Sequence, residues 1–136
     1  MRARLAVLAI AAGLGGCGGA SPPPDAATSR AQITRIVLAW HRYQADGNGK
    51  AGCALLTKRA RYAQGGDGCA RSIDRYASFA APIRQALRDT KVDKVTITGD
   101  QATVVTHTTA TKGGVTSKTP PATIPLRWEG GRWRVD

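Results

Sequence analysis

Lys91-Val92-Asp93-Lys94-Val95-Thr96-Ile97-Thr98-Gly99-Asp100-Gln101-Ala102-Thr103-Val104-Val105 decides the fold. Apolar and polar residues alternate with a period of two on both sides of Gly99-Asp100, and Thr and Val dominate. This spacing predicts a two-residue hairpin that pairs Ile97 with Ala102 and Val95 with Val104 on one face. Thr96, Thr98, Thr103, Val105 and His107 fall on the other, wetter face. Further on, Gly130-Gly131 predicts a second tight hairpin, pairing Trp128 with Trp133, Leu126 with Val135, Glu129 with Arg132 and Arg127 with Arg134. A Gly113-Gly114 turn would set Ala110 opposite Ser117, which puts odd positions inward. Ile124, Leu126 and Trp128 are even, so one extra residue near Thr119-Pro120-Pro121 must reset the register.

Upstream of Lys91 the period becomes helical. Ile33, Ile36, Val37, Trp40 and Gln44 recur on one face of a helix from about Thr28 to Ala45, with Ser29 and Gln32 as a capping box and Asp46-Gly47 as the stop. Shorter helices follow: Lys50–Leu56, a turn capped by Thr57 and running through Tyr62, then Cys69–Phe79 capped by Asp67. The third would bury Cys69, Ile73, Tyr76 and Ala80. Pro82 opens a last one through Leu87. Helices first and antiparallel strands after make an α+β domain over residues 28–136, with the N-terminal helices packed on a curved four-strand sheet.

The first 27 residues read differently. Arg2 and Arg4 precede an apolar run, Leu5–Leu14, and Leu14-Gly15-Gly16-Cys17 follows, the order of a secretory signal over residues 1–16. Ten residues rise only about 15 Å as a helix, against the roughly 30 Å of a hydrocarbon core. The Leu-Gly-Gly-Cys ending resembles the lipobox of bacterial lipoproteins, although Gly15 stands where Ala, Ser or Thr is usual. That resemblance implies a diacylated (palmitate-type) Cys17 and a domain anchored at the outer face of the cell membrane, or on the periplasmic side if there are two membranes. Residues 17–27, with Gly18-Gly19 and Pro22-Pro23-Pro24, read as an extended tether that would hold the domain roughly 20–30 Å from the bilayer. With Cys17 assigned to lipid, Cys53 and Cys69 remain as a pair able to close a disulfide in an oxidising compartment. Neither flank offers metal-ligand spacing.

The 136-residue chain carries formal charge +11. Without Arg2 and Arg4, 18 of its 20 basic residues remain against 9 acidic ones, net +9. Such an excess favours anionic partners, phospholipid headgroups or envelope polymer, while export argues against nucleic acid. It is also what an arginine-rich composition alone would give.

Cys53-Ala54-Leu55-Leu56-Thr57, Cys69, Gly99-Asp100-Gln101-Ala102-Thr103-Val104 and Gly130-Gly131-Arg132-Trp133-Arg134-Val135 together resemble small exported members of the NTF2-like (cystatin-like cone) superfamily. The resemblance implies a sheet wrapped on a long first helix around a conical cavity. The superfamily includes isomerases and dehydratases beside ligand-binding and dimerising modules, so the fold alone names no activity. Trp40, His41, Tyr43, Trp128 and Trp133 are candidate cavity-lining residues, although core packing is the commoner use of such side chains. Lys94, Arg127 and Arg134 are candidates for a face meeting an anionic partner, or simply a solvated face. Asp93 and His41 are the residues on which an enzymatic reading would depend. His107 falls outward, without a paired acid. No motif implies a cofactor or metal: Gly65-Gly66-Asp67-Gly68 lacks the Lys-Ser/Thr of a phosphate loop. The expectation is a lipid-anchored, non-enzymatic extracytoplasmic domain that contacts a protein, an apolar ligand or anionic envelope polymer, with homodimerisation as a further option. The alternatives are a small-molecule enzyme of isomerase or dehydratase type and a basic adaptor for envelope polymer.

Overall fold

The computed structural model describes residues 21–112 and 114–136. The signal segment, Cys17 and Gly113 lie outside the described residues.

Helix α1 spans Ala26–Asp46. It starts two residues before the expected Thr28, because Asp25 rather than Ser29 provides the cap. The Asp25 carboxylate accepts from the amides of Ala27 and Thr28, each at 3.0 Å, and from Thr28 Oγ1 at 2.6 Å. These bonds, the Thr28 hydroxyl first, hold the carboxyl below its usual range. Ser29 is buried within the first turn, and its hydroxyl donates to Pro24 O at 3.0 Å. The helix ends at Gly47, whose φ of 63° lets the amides of Gly47 and Asn48 reach back to Gln44 O and Tyr43 O.

Three short helices form the next layer: α2 (Gly49–Ala54), α3 (Lys58–Ala63) and α4 (Cys69–Asp74). Thr57 caps α3 as expected, its hydroxyl accepting from Ala60 N at 3.1 Å. α4 is shorter than the expected Cys69–Phe79, and Gly68 stands at its start with no side-chain cap from Asp67. Past Asp74 the chain tightens into a 3-10 turn over Arg75–Ser78, secured by the Ser78 hydroxyl on Arg75 O at 2.7 Å. Ala80 is consequently exposed and Tyr76 only half-buried. Cys53 and Cys69 form the disulfide, joining α2 to the first residue of α4. The same two helices meet again where Gly49 N donates to Asp74 Oδ1 at 2.6 Å. Helix α5 (Ala81–Arg88) opens with Pro82 in its first turn.

Strands β1 (Lys91–Thr98), β2 (Gln101–His107), β5 (Ala122–Glu129) and β6 (Arg132–Val135) form one antiparallel sheet in the order β1-β2-β5-β6. Both outer hairpins keep the expected register: Val95 faces Val104, Ile97 faces Ala102, Leu126 faces Val135, and Trp128 faces Trp133. The middle hairpin leaves the sheet as a separate two-stranded ribbon, β3 (Thr109–Lys112) and β4 (Val115–Lys118), with Ala110 opposite Ser117. The register resets where expected. Thr119 N donates to Thr108 O while Thr106 pairs with Ala122, so two steps on one strand face three on the other, across Pro120-Pro121. A second bulge, unexpected from the sequence, falls at Asp93, between the pairs Val92–Thr106 and Lys94–Val105.

The core lies between α1 and the sheet. Ile33, Val37 and Trp40 meet Ala102, Val104, Leu126, Trp133 and Val135, with Cys53, Leu56, Cys69 and Ile73 closing one side. Trp133 is 1% exposed and Trp40 8%, so the space expected to be a conical cavity is occupied by indole rings. The outer edge of β6 is covered in turn. Thr57 N donates to Val135 O at 2.8 Å and Val135 N to Leu55 O at 2.9 Å, which lays Leu55–Thr57 alongside as a short parallel bridge. Among the described residues, no helix is long and apolar enough to cross a membrane.

Candidate functional site

The five aromatic and imidazole candidates separate. Trp40 and Trp133 are core residues, whereas His41, Tyr43 and Trp128 are half-buried at its margins. Trp128 packs edge-on against Trp133, ring centres 5.7 Å apart and planes at 70°, a favourable arrangement of aromatic quadrupoles. His41 has both ring nitrogens buried without a hydrogen-bond partner among the described residues. Burial lowers its pKa from the ordinary histidine value, and the neighbouring Gln44 side chain offsets part of that.

The three basic candidates separate as well. Arg134 is half-buried and committed to the protein's own carbonyls: Nη1 donates to Ala54 O at 2.8 Å and Leu56 O at 3.3 Å, and Nε to Glu129 O at 3.3 Å. Arg127 faces Arg134 across the strands, with its Nε 3.7 Å from the Asp136 carboxylate. Asp136 has been drawn from water, which alone would raise its pKa. Bonds from Thr57 Oγ1 and Arg59, with the charges of Arg59 and Arg127, outweigh that and lower it. Lys94 pairs with Val105 on one side of β2, and Arg127 with Gln101, four residues along, on its other side, so the two stand about 16 Å apart.

His107 does have an acidic partner. The Asp93 bulge turns that side chain to the outward face, where Asp93 Oδ2 accepts from His107 Nδ1 at 2.8 Å and Lys118 Nζ approaches Oδ1 at 3.5 Å. His107 is the largest cause holding the Asp93 carboxyl below its usual range. The cluster ties the ribbon strand β4 to β1 and β2. It stands on the opposite face of the sheet from the core, so Asp93 is not the inward acid that an enzyme working inside the cone would need. Alternation along β1 gave no sign of it, because a bulge displaces the pattern by one residue. Among the described residues, no three His, Cys, Asp or Glu side chains gather as a metal site.

The surface that the sequence did not single out lies where the first half of α1 meets the β5–β6 hairpin. Gln32, Arg35, Ile36, Trp128 and Trp133 line a groove of about 270 Å³ there, with Arg132 at its rim. Through Arg35 it continues into a shallower concavity along Ala27, Arg30, Ala31 and Thr34. The groove is apolar at its floor, and Arg30, Arg35 and Arg132 at its edges are exposed. None of these three arginines makes an ion pair among the described residues. The tether ends on this surface: Trp128 Nε1 donates to Ser21 O at 2.6 Å, and Pro23 and Pro24 are half-buried on the way to the Asp25 cap. The proline segment is therefore seated on the domain, where a free spacer was expected. The arginine spacing on α1 was visible in the sequence, but its meeting with a hairpin a hundred residues away was not.

Among solved structures, the chain is similar to an NTF2-like protein with a cystatin-like fold from Novosphingobium aromaticivorans. The two share 16% sequence identity at a TM-score of 0.49, and the match covers 80% of this chain and 78% of that one. No protein-family model matches the chain, and no curated protein matches it. The α+β assignment rests on the chain's own helices and strand order.

Proposed function

We propose that this chain is a lipid-anchored extracytoplasmic binding domain without catalytic activity, presented at the membrane surface through acylated Cys17. The observation that carries this reading is the Cys53–Cys69 disulfide. Such a bond is favoured in an oxidising compartment, and pairing these two cysteines leaves Cys17, directly after the signal segment in sequence, as the cysteine assigned to lipid in this reading. The packed core supports binding at the surface, since the interior is filled by Trp40 and Trp133. The contact surface in this reading is the basic groove between α1 and the β5–β6 hairpin. The enzymatic alternative has one observation in its favour, the Asp93–His107 pair on the outer face, which would orient an imidazole for proton transfer.

Fractionation of the native host tests the anchor. Wild-type protein should sediment with membranes and resist extraction by high salt, and Cys17→Ser should move it into the soluble exported fraction. Equal distribution of the two would refute the reading. Loss of a biological phenotype in His107→Ala with folding intact would favour the enzyme instead.

A further inference from the structure

The tether's docking fixes more than a point of attachment. Ser21 is held by the Trp128 indole N–H, Pro24 O accepts the Ser29 hydroxyl, and Asp25 caps α1, so residues 21–25 are tied to the domain at successive points. Only four residue steps separate Cys17 from Ser21. At about 3.6 Å per step their greatest reach is about 14 Å, so an acyl anchor on Cys17 leaves the Trp128 end of the molecule no farther than that from the headgroups. The opposite end stands well away. Strand β5 alone carries the chain about 20 Å from Trp128 to Ala122, and the ribbon extends beyond it to Val115.

We propose that the face formed by α1 and the β5–β6 hairpin lies against the bilayer and engages anionic phospholipid headgroups through Arg30, Arg35 and Arg132, with Trp128 at the interface. This inference rests on the acyl-anchor reading of Cys17 and adds an orientation and a lipid preference to it. The three guanidinium groups are exposed and free of ion pairs among the described residues, and their planar donor sets match phosphate oxygens. The acidic groups nearby are Asp25, Glu129 and Asp100. Asp25 spends its carboxylate on the α1 cap, and Glu129, directly opposite Arg132 across the β5–β6 turn, accepts from Lys58 N at 3.1 Å. Asp100, exposed in the β1–β2 turn, is left as a free opposing charge. Trp128, half-buried with its N–H satisfied, offers an amphipathic ring at the depth where such rings settle. One acyl anchor combined with a basic patch is a stronger attachment than either alone.

The test uses the mature protein from its own membrane fraction, after its mass has established whether Cys17 is acylated. It is reconstituted into phosphatidylcholine vesicles with and without phosphatidylglycerol. Spin labels are placed on exposed Ala31→Cys, in the basic concavity, and on exposed Val115→Cys, at the ribbon tip. With phosphatidylglycerol present, relaxation by a headgroup-bound paramagnetic ion should be strong at residue 31 and absent at residue 115. Added salt, or Arg30→Gln with Arg35→Gln in a protein that stays anchored, should erase most of that contrast. Trp128→Phe, which keeps a ring but frees Ser21, should broaden the distances at residue 31. Acylated protein with equal relaxation at the two positions overturns this inference and leaves the anchor standing. Tight retention on a soluble anionic polymer with no lipid contrast overturns it in favour of a wall-polymer partner. Protein lacking acyl chains overturns both readings.

Discussion

Replacing Cys53 and Cys69 together by Ala removes the covalent tie between α2 and α4 and has a size that the structure sets. The two residues lie 16 apart in sequence. For a loop of that length the chain-entropy relation gives about 3 kcal/mol at 25 °C, lost through the greater freedom of the unfolded chain. Both sulfurs are also buried in the core, Cys53 at 8% exposure and Cys69 at 2%, so their removal adds up to about 1 kcal/mol of lost packing. The sum is a large share of the roughly 5–15 kcal/mol by which a domain is stable. In urea denaturation followed by tryptophan fluorescence, the midpoint should fall by about 1–3 M, with a somewhat steeper slope because the unfolded chain without the cross-link exposes more surface. Wild-type protein unfolded in the presence of reductant should lose a comparable amount, and the variant should not respond to reductant. A loss below about 1 kcal/mol would refute the reasoning, and would mean that the Gly49–Asp74 contact and the surrounding burial hold the two helices without the staple.

Three further outcomes follow from particular contacts. Gly49→Ala should cost more than about 2 kcal/mol in the same assay, because a Cβ there would overlap the Ala70 carbonyl and meet Asp74 Oδ1; an unchanged midpoint would contradict the close approach of α2 to α4. His41, whose pKa is lowered by burial, remains neutral in the folded state while the unfolded chain takes up its proton below about pH 6.5. Stability should therefore decline on acidification from that pH, and His41→Leu should reduce the decline between pH 7.5 and 5.5; identical pH dependences would rule out a buried neutral imidazole. Arg134→Met, measured by thermal unfolding, should destabilise the fold by about 1–2 kcal/mol through unpartnered carbonyls at Ala54 and Leu56, with Arg134→Lys recovering only part.

These residues mark where sequence reading succeeds and where it stops. Both outer hairpins were legible in register because the Gly99-Asp100 and Gly130-Gly131 turns fix strand phase and the alternation then assigns each face. The Thr57 cap, the α5 start near Pro82, the disulfide pair and the irregularity at Pro120-Pro121 were legible for the same reason: each is written within a few residues of itself. What was missed is non-local or displaces the pattern. The Asp93 bulge turned an acid toward His107, and the Asp25 cap lengthened α1 at the expense of the tether. Arg134 looked like a free surface cation, yet it bonds to carbonyls about eighty residues earlier in the chain, which no periodicity records. The groove was missed for that reason too, since Arg35 and Trp128 meet only once α1 has packed on the sheet.

The measurement that bears most directly on the anchored-domain reading is an intact mass, without reduction, of the protein purified from its own host's membranes. The account predicts a polypeptide that begins at Cys17, carries two acyl chains on a glyceryl thioether, and is two hydrogens lighter for the Cys53–Cys69 bond. A chain beginning elsewhere, or a Cys17 without lipid, would contradict it.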